Sequence, residues 1–169
     1  MSVRRAIAWL MLLGGCTSEP PADEGAYDHV MPFDSAHVRL AGERDTLRLT
    51  VQLAVSDEQK RMGLMERRRL ADDAGMLFVY DSSQPPDAGF WMYRTRIPLD
   101  IAFLDSAGVI RTVRSMAPCT STIAQACPTY TPDVPYRYAL EMNAGFFARH
   151  GITTGDVLVL RDLPPTKAK

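Results

Sequence analysis

Between Thr46 and Val55 the chain reads TLRLTVQLAV, with Leu47, Leu49, Val51, Leu53 and Val55 at every second position. Successive side chains of a strand point to opposite faces, so this period of two describes a strand with one apolar and one polar face. Such a segment is not satisfied alone. It needs neighbouring strands for its backbone and a covering layer for its apolar face. AHVRLAG (36–42) alternates in the same way, and Gly42-Glu43-Arg44-Asp45 has the composition of a hairpin connection between the two.

Further segments supply partners. GMLFVY (75–80) is a short apolar run that reads as a buried strand, and SSQPPDAG (82–89), with two prolines and a glycine, reads as a surface loop. GFWMY (89–93) and LDIAFL (99–104) read as two strands joined by RTRIP; VIRTVRSM, RYALEM and DVLVLRD follow as strands. RYALEM turns Tyr138, Leu140 and Met142 inward and Glu141 the other way. Ser56 and Gln59 form a capping box, which predicts a short helix ending near Gly63 with Met62 and Met65 turned toward the core. GFFARHG (145–151) is a second short turn or helix. Long crossover helices are missing, which disfavours a parallel α/β sheet. The expectation is a mainly β single domain over 35–163, an antiparallel β-sandwich, jelly-roll-like or barrel-like, with one or two short helices. Residues 164–169 are expected to form a disordered tail.

The N-terminus has a different character. MSVRRAIAWLMLLGG combines Arg4 and Arg5, an apolar run from Ala6 to Leu13 and two glycines before Cys16. That is the pattern of a secretory signal over residues 1–15, too short to span a bilayer. Leu13-Gly14-Gly15-Cys16 resembles the lipobox of bacterial lipoproteins. The resemblance implies cleavage before Cys16, lipidation of that residue and a membrane as its first partner. Thr17 stands where an aspartate often retains lipoproteins in an inner membrane, so the expected location is the cell envelope, at the periplasmic face of the outer membrane. Residues 16–34 then form a flexible tether, rich in proline and acids and poor in aliphatics. His29, with Asp28 and Asp34 nearby, has no second histidine at ligand spacing, and no metal site is assigned.

The full chain carries 19 lysines and arginines against 20 aspartates and glutamates. Removal of residues 1–15 takes Arg4 and Arg5 and no acid, leaving 17 against 20, a net charge of −3. A mildly acidic domain has no electrostatic footprint for nucleic acid. The run Arg67-Arg68-Arg69 reads as a solvated face, with an anionic ligand as a lesser option. With Cys16 lipidated, Cys119 and Cys127 remain as an even pair in an oxidising space. A structural disulfide leads; a redox pair or a thiolate metal site is the alternative, the first against unusual spacing and the second without nearby histidine.

Read together, GLM (63–65), GMLFVY, FWMYRTRIPLDIAFLD, LEMNAG (140–145) and GITTGDVLVL resemble, in order and interval, the bacterial and archaeal family called domain of unknown function 192. The likeness runs over roughly residues 46 to 160. It implies a compact, mainly β fold behind a signal peptide and brings no established activity. Members often read FWMKNT where this chain has FWMYRT, so Arg94 stands in place of an asparagine. The PC…CPTYTP loop also resembles many relatives, which supports pairing of Cys119 with Cys127.

The chemistry carried by these motifs is sparse. Strand alternation puts Phe90, Met92 and Arg94 on one face and Trp91, Tyr93 and Thr95 on the other. Asp100 lies near enough to pair with an arginine of RTRIP and rigidify that turn. Trp91 and Tyr93 could also stack a flat ligand, with Met92 beside them and Thr95, Asp100, Glu141 and Asn143 supplying directional hydrogen bonds. These six residues, Trp91, Met92, Thr95, Asp100, Glu141 and Asn143, form the candidate binding set for a small molecule or glycan, against the plainer reading that the aromatics are core. Asp100 with Glu141, or with Asp156, could instead act as a paired-carboxylate hydrolase on a cell-wall or glycan substrate. A structural module for protein contacts is the third reading. No Gly-x-Ser-x-Gly, no HExxH and no phosphate-cradling glycine loop occurs, His150 reads as a helix-end residue, and the methionines read as core; no catalytic residue and no cofactor is assigned.

Overall fold

The computed structural model describes residues 32–163; the signal segment, Cys16, the tether up to residue 31 and the tail from 164 onward lie outside the described residues. In chain order the elements are β1 (Asp34–Ala41), β2 (Thr46–Ala54), α1 (Asp57–Met62), β3 (Ala74–Gln84), β4 (Phe90–Trp91), β5 (Leu99–Leu104), β6 (Ile110–Met116), β7 (Thr129–Tyr130), β8 (Tyr136–Asn143), α2 (Phe146–His150) and β9 (Val157–Leu158). Seven strands form one sheet in the order β6-β5-β8-β3-β2-β1-β9, and β4 and β7 form a separate two-stranded ribbon. The sheet curls into a half-barrel, so the barrel-like alternative describes the fold.

The curl brings the two ends of the sheet together. Val109 bridges Val157, the Ile110 amide donates to the Asp156 carbonyl at 2.8 Å, and the Leu158 amide donates to the Gly108 carbonyl at 2.9 Å. One apolar cluster unites side chains from every strand of the sheet, including Val38, Leu49, Leu77, Leu104, Ile110, Leu140 and Leu158, which only the inside of a curl permits. Phe146 and Phe147 of α2 join it. A second cluster lies on the outer face of β3, β5 and β8 and contains Met76, Phe78, Phe90, Met92, Ile101 and Phe103. The central strands are thus covered on both sides, and all six residues of β5 are buried.

Four local expectations change. GFWMY is not a full strand: only Phe90 and Trp91 are extended, and they pair with Tyr130 and Thr129 rather than with β5. The cause is Arg94, whose φ of 56° ends the run; the Thr95 amide turns back to the Met92 carbonyl at 2.9 Å. SSQ of the supposed loop belongs to β3, which runs on past a register irregularity to Gln84. The β2–β3 pair is parallel, the crossover being supplied by α1 and the segment after it. Met62 and Met65 are half-buried, and the residue that enters the core between them is Leu64.

The capping box is formed: the Gln59 amide donates to Ser56 Oγ at 3.2 Å, and the Ser56 amide donates to Gln59 Oε1 at 3.0 Å. Gln59 does a second job, since its Nε2 donates to the Pro32 carbonyl at 2.9 Å. The chain leading to the N-terminus therefore enters the domain beside α1.

Candidate functional site

Glu141 lies in the middle of β8, paired in register with Met76 of β3 and Ile101 of β5. Residues opposite one another in a sheet share a face, so its side chain points to the outer face, among the second cluster. It is 4% exposed. Among the described residues it accepts no hydrogen bond and forms no ion pair. Burial pushes its carboxyl up to about 8.

A small cleft of about 30 Å³ opens onto this carboxyl. Leu64, Met65 and Phe78 line it with apolar surface, and Trp91, Thr95 and the α1 residues Lys60 and Arg61 line it as well. Space of that size admits one or two water-sized groups, not a sugar ring. Trp91 is 42% exposed and stacks obliquely on Tyr93, ring centroids 5.5 Å apart. The Tyr93 hydroxyl reaches toward the Thr122 carbonyl, next to the exposed Ile123.

The left-handed turn at Arg94 shapes this site. It breaks the strand alternation, so Thr95 is 4% exposed and lies on the buried side with Phe90 and Met92, while Arg94 faces solvent. Strict alternation puts Thr95 with Trp91 and Tyr93; one residue with positive φ resets the count. Three backbone bonds hold the turn: Thr95 to Met92, Cys119 to the Thr95 carbonyl at 3.1 Å, and Glu66 to the Arg94 carbonyl at 2.8 Å. Glu66 also accepts from Arg94 Nε at 2.6 Å and pairs with Arg96, and these two arginines hold its carboxyl below the usual range. The Cys119–Cys127 disulfide is formed and fixes the loop that supplies the second of those bonds.

The other candidates fall elsewhere. Asp100 pairs with Met142 and Ser115 in register, which puts it on the inner face, opposite in direction to Glu141. Its Oδ1 accepts from Ser115 Oγ at 2.7 Å and its Oδ2 from the Gly145 amide at 2.8 Å. It does not pair with an arginine of RTRIP, because Glu66 holds both. Asn143 shares the outer face with Glu141, but its Nδ2 donates to the Leu70 and Ala71 carbonyls at 3.1 and 3.0 Å, clamping the segment between α1 and β3. Met92 is 1% exposed and packs in the core. Asp156 Oδ2 accepts from the Thr153 amide at 2.7 Å and shapes the turn into β9. Three of the six candidates, Trp91, Thr95 and Glu141, meet at one cleft; Met92, Asp100 and Asn143 support the fold around it.

Sequence reasoning missed the part played by α1. Lys60, Arg61, Leu64 and Met65 follow directly on the capping box, and the signal available was that helix placement fixes where the next residues go. Glu66 gave no signal, since its φ of 63° and its two arginine partners arise from contacts distant in sequence.

Comparison with known proteins agrees with this fold. A crystal structure from Sinorhizobium meliloti 1021, described as a "putative transcription regulator", is 37% identical over 76% of this chain and 95% of its own, with a TM-score of 0.69. A protein of unknown function from Novosphingobium aromaticivorans DSM 12444 is 30% identical over 76% of this chain and 87% of its own, with a TM-score of 0.64. Among curated proteins none matches. Residues 38–160 match DUF192, described as "Uncharacterized ACR", and the chain belongs to that family.

Proposed function

We propose that this chain is a binding module of the cell envelope, anchored through a lipidated Cys16, whose cleft beside Trp91 takes a small polar group of its ligand. The observation that carries the reading is Glu141: a carboxyl that is 4% exposed, without a partner among the described residues, and open to a cleft. Burying such a group is unfavourable unless something hydrogen-bonds it, and a fold that needed only stability would favour an apolar residue there. Perturbed acids in clefts are candidates for function on this ground. The ligand is a small molecule, or a larger one such as a glycan that presents a small polar substituent, because the cleft holds no more than a small group.

The paired-carboxylate hydrolase is not carried forward. Asp100 and Glu141 point to opposite faces of one sheet, and Asp156 is held in a turn at its seam. The protein-contact reading calls for a broad apolar face without a cleft; among the described residues the exposed large apolar side chains are Trp91 and Ile123.

The test is a binding screen of envelope extracts against the purified full-length protein. Trp91→Ala and Thr95→Val are expected to abolish capture of the ligand while the melting temperature stays within a few degrees. A ligand held equally by both variants would sink the reading. Incorporation of labelled fatty acid, lost in Cys16→Ser, tests the anchor separately.

A further inference from the structure

We infer that the group this cleft takes is a primary ammonium borne beside an anionic group of the same molecule, with Glu141 as counter-ion to the ammonium and Lys60 and Arg61 as the seat of the anion. This rests on the binding reading above and gives it a ligand class.

Four observations lead there. The first is the unpartnered carboxyl itself, aimed into the cleft from β8. Next is volume: about 30 Å³ accepts an ammonium and excludes a guanidinium with its stem or a sugar ring. The third is the donor set. Besides Glu141 the cleft offers the Thr95 hydroxyl among apolar walls, which suits the three donors of an ammonium and supplies too few oxygens for a divalent cation. No cluster of three metal-ligating side chains occurs among the described residues.

The cationic residues are the fourth. Lys60 and Arg61 line the same cleft, Lys60 lying over the Tyr80 ring at 4.8 Å and 3.8 Å from the fully exposed Asp57. Two cationic residues in the lining disfavour a bare amine and favour an anion, so an amine that brings its own anion is the charge pattern the site complements. Amino acids and phosphoethanolamine head groups both have it. As the ammonium enters, the proton that Glu141 holds near neutral pH leaves to solvent, and the pair that forms is carboxylate with ammonium.

The experiment titrates the full-length lipoprotein, extracted in a maltoside detergent, with glycine and with O-phosphoethanolamine. Acetate, ethylamine and glycerol serve as controls. With residues 1–15 removed Trp91 is the one tryptophan left of two, so intrinsic fluorescence reports the cleft directly. Calorimetry in two buffers of different ionisation enthalpy counts protons. At least one zwitterion is expected to bind about tenfold or more tighter than acetate or ethylamine, with close to one proton released per ligand at pH 7. Glu141→Gln should lose about tenfold or more in affinity and all proton release with unchanged circular dichroism. The double variant Lys60→Ala, Arg61→Ala should lose affinity while keeping proton release; Thr95→Val provides a second cleft variant should Glu141→Gln misfold.

Glycine binding alone would name free amino acids as the source, O-phosphoethanolamine alone the head group. Acetate or glycerol binding as tightly as the zwitterions, and lost in Glu141→Gln, would overturn the ammonium while keeping the cleft. Failure of both zwitterions to bind would overturn it as well. Binding that survives Glu141→Gln and Trp91→Ala alike would remove the cleft together with the ligand class.

Discussion

Asp100 and Glu141 lie on adjacent antiparallel strands, one residue out of register, and point to opposite faces of the same sheet. Asp100 is held inside by the Ser115 hydroxyl and the Gly145 amide; Glu141 is left outside, buried among apolar neighbours and open to a cleft. One acid is spent on the fold and the other is kept from it, and the two should respond differently to substitution.

Glu141 makes stability fall as pH rises. Its carboxyl titrates near 4.5 when unfolded and at about 8 when folded, so between those values the unfolded chain binds fewer protons and is favoured by each step upward. Stability from this group is intact below about pH 4.5, declines through the interval and levels off above 8, by on the order of 5 kcal/mol in all. Glu141→Leu is expected to raise the melting temperature at pH 8 and to flatten this slope. A wild-type protein as stable at pH 8 as at pH 5.5 in urea titrations would contradict the burial.

Asp100→Asn should destabilise the domain at neutral pH. The substitution removes a charged acceptor from a backbone amide and a hydroxyl, a loss of about 1.5–3 kcal/mol. Ligand binding at the cleft should persist in the folded fraction. Loss of binding without loss of stability would place Asp100 in the site after all.

At Arg94 the backbone sits at φ 56°, a region that costs an ordinary side chain about 1 kcal/mol and that asparagine tolerates. The FWMKNT pattern that this stretch resembles has asparagine at this position, a residue such a turn accommodates. Arg94→Asn should leave thermal stability equal or slightly higher, because the Arg94 side chain is more than half exposed and Glu66 keeps its pair with Arg96. Arg94→Val should lower it by roughly 1–2 kcal/mol, with the Thr95 side of the cleft disturbed. Differential scanning calorimetry on both variants decides the point.

Removal of the disulfide has a stability cost and a local one. The bridge closes a loop between residues eight apart, and the Cys119→Ser, Cys127→Ser variant should lose roughly 2.5 kcal/mol in the chain-entropy model. The Cys119 amide bonds the Thr95 carbonyl, so amide exchange should speed up first at residues 92–95 and 119. Uniform acceleration across the sheet would show that the loop does not brace the cleft.

The sequence could disclose the strands that have one wet face. TLRLTVQLAV alternates because its polar side meets solvent or partly exposed neighbours, whereas LDIAFL is buried on both sides and betrays itself only as an apolar run. Trp91, Thr95 and Glu141 could be named as polar or aromatic residues in the right strands. That they converge depends on α1, β4 and β8 meeting, which no periodicity records. Thr95 shows the limit best: counting by twos sends it to the solvent side, and a single left-handed residue before it sends it inward. The direction of Glu141 was legible from Leu140 and Met142. Its burial was not, since that depends on a second apolar layer recruited from distant segments.

The seam where β6 meets β9 has a consequence for crowding. A sheet of seven strands ordinarily leaves two rows of unpaired amides and carbonyls, each a template on which another chain can add a strand. Here the bonds around Val109 and Val157 occupy the first stretch of one row with part of the other. Arg111 and Arg114, both on β6 and both paired with aspartates, put charge along what is left. Wherever copies of the chain meet, this arrangement gives an incoming strand of a neighbouring copy little backbone to join and an unfavourable place to lie.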